Sequence, residues 1–296
     1  MRVFVTGASG WVGSVVTQEL LRNGHSVLGL ARSDDSAAKV AAMGAEVLRG
    51  DVQDIDSLVE GAKSADGVIH TAFIHDFTRF AENCEIDRRA ITAMADVLTG
   101  SEKPFVITSG TGVVASAGRG TEDVRVADVR TSMPRIASEQ AAEAAAAKGV
   151  NVSVVRLSPS VHGAGDHGFV PILIGLAKEK GVAAYVGDGG NVWPGVHRLD
   201  AARLYRLALE RNAKDARYHA AENSGTPFRD IATVIGKHLD VPVVSLSQEA
   251  AAAHFGWFHH FAMMNNPTSS DWTRETLGWA PTQPDLLSDL AASYFS

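Results

Sequence analysis

The sequence predicts an α/β fold: a Rossmann-type doubly wound parallel sheet with a smaller C-terminal substrate lobe. Through the first half, short β-branched runs alternate with longer helical patterns, as parallel strands with crossover helices require. The runs are apolar without polar alternation, as expected of strands covered on both faces. A glycine-rich turn joins the first run to the first helical pattern.

In chain order, strands are predicted at Arg2–Thr6, Ser26–Leu30, Glu46–Arg49, Gly67–Thr71, Pro104–Thr108 and Val152–Arg156. Helices are predicted between them at Trp11–Asn23, Asp35–Ala42, Ile55–Ala62, Glu82–Leu98 and Arg135–Lys148, the last rich in Ala, the best helix former. Past Pro159 the rhythm changes. Phe169–Lys180, Leu199–Arg211 and Phe228–Leu239 read as helices, Val241–Val244 as a short strand, and Ser269–Trp279 and Leu286–Phe295 as helices again. Residues 1–160 are expected to form the dinucleotide-binding core. Residues 161–296 are expected to form mainly the substrate lobe, with a segment of about 182–221 returning to the core.

A chain of 296 residues with 45% hydrophobic and 21% charged residues has the make-up of a globular protein. The formal charge of -7, without a local run of Lys and Arg, gives no basic face for nucleic acid. The single Cys84 rules out an intramolecular disulfide framework and suits a reducing compartment. With no signal-peptide pattern at the amino terminus and no apolar run near the roughly 20 residues that span a bilayer, a cytoplasmic location and no membrane partner are expected.

The strongest local signal is Thr6-Gly7-Ala8-Ser9-Gly10-Trp11-Val12-Gly13. Between a strand and a helix, Gly7 allows a tight turn, Gly10 lets the backbone approach a pyrophosphate, and Gly13 lets the helix pack close to the sheet. The helix amino terminus then offers free N–H groups to the anion. After the second strand, Arg32 stands where an NAD-preferring site usually carries an acid. It suits a 2′-phosphate, with Ser33 as a further donor, so NADP(H) is expected over NAD(H). Asp34 and Asp35 close by weigh against that preference.

These residues resemble the short-chain dehydrogenase/reductase superfamily, particularly its extended and atypical branches (the NAD-dependent epimerase/dehydratase type). Residues 6–13 are similar to the extended branch's Thr-Gly-x-x-Gly-x-x-Gly, and Asp51-Val52-Gln53-Asp54 to the segment beside the adenine. Asp66 to Ala72 resembles the fourth strand and the loop beneath the cofactor. Phe105 to Thr111 resembles the fifth strand, whose end carries a catalytic Ser or Thr in active relatives. Val155 to Gly163 is similar to the loop facing the nicotinamide, Val196 to Ala202 to a segment leading into a helix, and Thr273 to Pro281 to a carboxy-terminal signature. The resemblance implies cofactor contacts from Gly7, Ser9, Gly10, Trp11, Val12, Gly13, Arg32, Ser33, Asp51, Val52, Thr71, Ala72, Leu157 and Ser160.

The superfamily's Tyr-x-x-x-Lys proton-donor motif is replaced by Arg135-x-x-x-Glu139. An arginine keeps its charge at any working pH, so it is a poor proton donor, although it can hold a carboxylate or a developing oxyanion. Glu139 is expected either to accept from ribose hydroxyls or to pair with Arg135 one turn away. With the Tyr gone, His162 is the leading proton-donor candidate, because an imidazole titrates near 6.5. His167, His197, Tyr185 and Tyr205 remain in play, and each His has a loop-bonding alternative. Ser109 and Thr111 are the candidates to bond a substrate oxygen.

No metal site is expected, because the 11 His residues include no His-Glu-x-x-His spacing and no paired Cys accompanies them. The aromatic run from Phe255 to Phe261 is expected mainly in the lobe core, with a pocket wall or a subunit contact as alternatives. As a surface patch it leaves a homodimer open, and Met263 and Met264 suit the wall of an apolar pocket. The leading function is an NADP(H)-dependent oxidoreductase acting on a small organic substrate: a carbonyl, an imine or an activated alkene. The alternatives are a non-catalytic NADP(H)-binding sensor and an isomerase or lyase with a retained cofactor.

Overall fold

The computed structural model describes residues 1–129 and 133–295. The first half contains β1 (Arg2–Thr6), α1 (Trp11–Arg22), β2 (Ser26–Ala31), α2 (Asp34–Ala42), β3 (Glu46–Arg49), α3 (Ile55–Ser64), β4 (Gly67–His70), α4 (Phe80–Leu98), β5 (Phe105–Gly110), α5 (Ile136–Ala147) and β6 (Val152–Leu157). There follow β7 (Ser160–His162), α6 (Phe169–Lys180), β8 (Ala183–Val186), β9 (Val192–Trp193), β10 (Gly195–His197), α7 (Arg198–Arg211) and β11 (Arg217–Ala220). The chain ends with β12 (Thr226–Pro227), α8 (Phe228–Leu239), β13 (Val243–Leu246), α9 (Gln248–Phe255), α10 (His259–Ala262), α11 (Asp271–Leu277) and α12 (Leu286–Ser293).

Seven parallel strands form the central sheet in the order β11-β6-β5-β4-β1-β2-β3. One face is closed by α1 and α7 through Val16, Leu20, Leu204 and Tyr205, and the other by α3, α4 and α5 through Leu58, Ile91, Met94 and Ala142. Full burial of each large aliphatic side chain contributes about 1.5–3 kcal/mol over exposure. This is why the strand runs carry no polar alternation. The strand order reverses between β1 and β4, so a crevice opens beyond Thr6 and His70, where sheets of this class take ligands.

All six predicted strands lie in the sheet. The fifth extends to Gly110 because Ser109 and Gly110 pair with Arg156 and Leu157. The seventh, β11, corresponds to no predicted element. Its Arg217, Tyr218 and His219 are buried and polar, so no apolar run marks it. The strand expected at Val241–Val244 lies at Val243–Leu246 and pairs with β8 inside the lobe. β10, α7 and β11 pack against the core, while β8 pairs within the lobe.

The lobe has its own apolar core, in which Trp193, Phe228, Phe258, Leu286 and Leu290 are fully buried. Within the aromatic run, Phe255 and Phe258 are buried but Trp257 faces solvent. No helix among the described residues is long and apolar enough to cross a membrane.

Candidate functional site

At the switch point the backbone forms a cradle. Gly7 has φ 68°, and a Cβ there would lie 2.8 Å from the Ala72 amide nitrogen. A Cβ on Gly13 would overlap the Gly7 carbonyl oxygen, so only glycine lets this turn fold against α1. Gly10 caps α1 without a side-chain hydrogen bond, and its own N–H donates to the Gly7 carbonyl at 2.8 Å. The amides of Trp11, Val12 and Gly13 are thus left for a ligand at the positive end of the helix. Ser9 is half-buried beside them.

Trp11 also ties the cradle to the lobe side of the crevice. Its indole N–H donates to the Val161 carbonyl at 2.8 Å, and the Arg198 guanidinium lies 3.8 Å from its ring centre.

At the adenosine end Arg32 is exposed and has no partner among the described residues. The two carboxylates after it are drawn elsewhere: Asp34 pairs with Arg49 at 3.0 Å and Asp35 with Lys39 at 2.7 Å. Ser33 serves as the cap of α2 in a reciprocal box with Ser36, its oxygen accepting from the Ser36 N–H at 3.2 Å. Asp51 accepts from the Gln53 N–H at 2.9 Å, which shapes the turn that carries Val52.

Beneath the crevice, the Thr71 hydroxyl donates to the Thr6 carbonyl at 2.7 Å and the Ala72 N–H donates to the Thr6 hydroxyl at 3.2 Å. Both residues therefore line the floor with their donors already used. Ser109 and Ser160 differ. Both are buried, and neither hydroxyl oxygen has a partner among the described residues. Leu157, half-buried, lies three residues before Ser160. The Thr111 hydroxyl instead accepts from Asn266 Nδ2 at 2.7 Å and is fully buried, so it tethers the lobe while Ser109 keeps the free group. An uncapped helix, a cradle that a Cβ would fill and two orphaned hydroxyls fit a dinucleotide.

The expected pairing of Arg135 with Glu139 is not formed. Arg135 Nη1 bonds Asp87 at 2.6 Å, its Nη2 donates to the Thr108 carbonyl at 2.8 Å, and its guanidinium lies 4.4 Å from the centre of the Phe73 ring. Glu139 faces the other way and holds Arg156 with both oxygens, at 2.9 and 2.7 Å, each side chain wholly buried. That burial also removes Glu139 from any ribose hydroxyl. Asp87 accepts from Ser138 and contacts His70 Nε2 at 3.0 Å, while His70 Nδ1 meets the Thr6 hydroxyl at 2.7 Å. Burial alone would raise the Asp87 pKa. The Arg135 charge, then His70 and Ser138, hold it far below the usual carboxylate range.

His162 is likewise not an open proton donor. It is fully buried, with Nδ1 at 2.8 Å from Asp289 and Nε2 at 3.0 Å from Glu222. Burial pulls its pKa down, but the bonds and charges of Glu222 and Asp289 prevail and raise it above 6.5. It clamps α12 to β7 through its contact with Asp289. Tyr205 is buried against the Thr108 hydroxyl at 2.7 Å, and burial pushes its pKa up. Tyr185 lies in the lobe against Gly189. His197 caps α7, its Nδ1 accepting from the Leu199 N–H at 3.3 Å, and burial and the His162 charge lower its pKa.

Of the histidines beside the crevice, two stay accessible. His167 is exposed, edge-on to Trp11 at 5.5 Å. His75, which the sequence reading passed over, is exposed on the loop after β4, edge-on to Phe73 at 5.3 Å. Desolvation by the groups around its ring, then the Arg135 charge, hold its pKa below 6.5, and it also feels the charge of His167. The available signal was position: the loop following a strand at the switch point. Asp87, Glu222 and Asp289 had none, since each meets its partner only through tertiary packing.

The NAD dependent epimerase/dehydratase family matches residues 3–221. An uncharacterized protein of Schizosaccharomyces pombe is 49% identical, covering 100% of both chains. The sterol-4-alpha-carboxylate 3-dehydrogenase (decarboxylating) of Dictyostelium discoideum is 27% identical over 78% of this chain and 74% of its own. The crystal structure of the dTDP-glucose 4,6-dehydratase from Streptomyces venezuelae with NAD and TYD bound superposes with a TM-score of 0.77 at 20% identity, covering 99% of this chain and 95% of that one.

Proposed function

The chain belongs to the NAD dependent epimerase/dehydratase family, and on that premise we propose that it is an NADP(H)-dependent oxidoreductase acting on a small organic carbonyl, imine or activated alkene. The observation that carries the NADP(H) preference is Arg32: exposed and unpaired among the described residues, while Asp34 and Asp35 are engaged by Arg49 and Lys39. A guanidinium in that state offers a fork of donors to a 2′-phosphate.

The bound nicotinamide supplies or receives the hydride. The chain supplies the rest. The amides of Trp11, Val12 and Gly13 hold the diphosphate, and Arg32 selects the phosphorylated ribose. Ser109, whose hydroxyl is otherwise orphaned, holds the reacting oxygen or nitrogen. Arg135 is fixed by Asp87 and Thr108 in the helix position of the usual Tyr and supplies positive charge without a transferable proton. Proton exchange falls to His75, accessible on the loop after β4: its lowered pKa favours the free base, which takes a proton in the oxidation direction and relays one from solvent in reduction.

A second reading, a cofactor-binding sensor without turnover, draws on the same Arg135 bracket, because no proton donor occupies the Tyr position. Two measurements decide. Fluorescence titration with NADPH and NADH gives binding and preference, and NADPH consumption across a carbonyl, imine and enone panel separates enzyme from sensor. Equal affinity for the two cofactors would defeat the NADP(H) assignment.

A further inference from the structure

The loop after β4 and the lobe meet through rings contributed from both halves of the molecule. Phe77, on the loop after β4, stacks on Trp257 of the lobe with centroids 5.2 Å apart and planes at 19°. It also meets Phe169 at 5.8 Å and Phe261 at 5.7 Å. On the core side, Phe73 carries Arg135 on its face and leads to Phe80 at 6.1 Å. Three residues past Ser109 in the chain, a Cβ on Gly112 would lie 3.2 Å from the Met264 sulfur, so an adaptable thioether packs there.

Cations are missing from the segments that carry these rings. Residues 72–78, 109–118, 164–177 and 255–267 contain no Lys or Arg. Arg135 is already matched to Asp87. A sugar nucleotide brings a diphosphate that needs cations to replace its water, and these segments provide none. A solvent-facing Trp257, 54% exposed and stacked on a loop ring, is instead a surface that an apolar ring can slide against.

We propose that the site takes an uncharged, ring-bearing apolar compound with a carbonyl or enone group, its ring lying between Phe77 and Trp257 on the outside and Phe73 on the inside. The Phe77–Trp257 stack is the gate: it bridges the core loop and the lobe, and the ring of the substrate enters where these two part. This inference rests on the oxidoreductase reading of the same cleft and specifies its substrate.

The test is equilibrium dialysis of the full chain saturated with NADP⁺ against 2-acetylnaphthalene and, separately, UDP-glucose. The same preparations are titrated with NADP⁺ alone and melted as controls for cofactor binding and folding. 2-Acetylnaphthalene is expected to be retained and UDP-glucose not. Phe77→Ala and Trp257→Ala should each weaken retention about tenfold, the size of one lost ring stack, while Trp257→Phe stays within about threefold. Retention of UDP-glucose in preference, no retention of the ketone by NADP⁺-loaded protein, or ketone binding unchanged in both alanine variants each overturns the inference. Failure to bind NADP⁺ at all overturns the cofactor reading instead, so the two failures are distinguishable.

Discussion

Glu139 and Arg156 form a two-pronged ion pair between α5 and β6, with Nε to Oε1 at 2.9 Å and Nη2 to Oε2 at 2.7 Å, and neither side chain reaches solvent. The remaining donors of Arg156 go to the Val124 carbonyl at 2.7 Å and to His219 at 3.1 Å. A residue in the place of a catalytic lysine thus acts as a strut that fixes the helix bearing Arg135.

Removing the carboxylate leaves a buried guanidinium without its counter-charge. Glu139→Gln is expected to lower unfolding stability by about 3–5 kcal/mol, read from urea denaturation, with NADP⁺ affinity unchanged where the protein remains folded. A loss below about 1 kcal/mol would show that the pair is solvent-screened.

Arg32→Ala should weaken NADPH binding about 10- to 100-fold and leave NADH binding as it was, since a charge-assisted bond contributes about 1.5–3 kcal/mol. An NADPH-to-NADH affinity ratio that does not move in fluorescence titration counts against the assignment.

Ser109→Ala separates function from stability. An unpartnered buried hydroxyl costs free energy, so the variant should unfold at equal or higher urea, by up to about 1 kcal/mol. Turnover in any active NADPH assay should fall about a hundredfold, as for loss of a donor at the reacting oxygen. Turnover at the level of the parent protein would remove Ser109 from the site.

Two glycines make a matched pair. Gly13→Ala places a methyl group on the Gly7 carbonyl and should abolish NADP⁺ binding or folding. Gly175→Ala in α6 meets nothing within 4 Å and should raise stability by up to about 1 kcal/mol through helix propensity. Thermal melting with and without NADP⁺ checks both.

Stability should peak near pH 6.5. The pKa of His162 is raised in the fold, so its contribution is complete below 6.5 and is lost as pH rises through the folded value. Burial, then the Arg156 charge, lower His219 to about 3, so between about 3 and 6.5 the unfolded chain binds the extra proton and stability is lost as pH falls. Each of these two histidines adds a slope of at most about 1.4 kcal/mol per pH unit to its limb. Urea midpoints from pH 4 to 9 test this. In His162→Gln the alkaline limb should flatten, whatever its overall stability.

The sheet and the cofactor cradle could be read from the chain itself. Apolar runs of strand length, helical periodicity between them and a glycine triplet are local properties, set by side-chain spacing and by the φ angles a residue can adopt. They gave six strands of the seven and the free amides of α1. The seventh strand escaped because Arg217 and His219 enter the interior only with partners: Arg217 with Glu143 and Asp215, His219 with Arg156 and the Ser269 carbonyl. Partner choice was beyond the sequence for the same reason. Arg135 takes Asp87 from 48 residues away and leaves Glu139 on its own helix, while His162 is closed between Glu222 and Asp289, 60 and 127 residues distant. A buried charge takes whichever counter-group the packing brings within about 3 Å, and only the assembled fold decides which group that is.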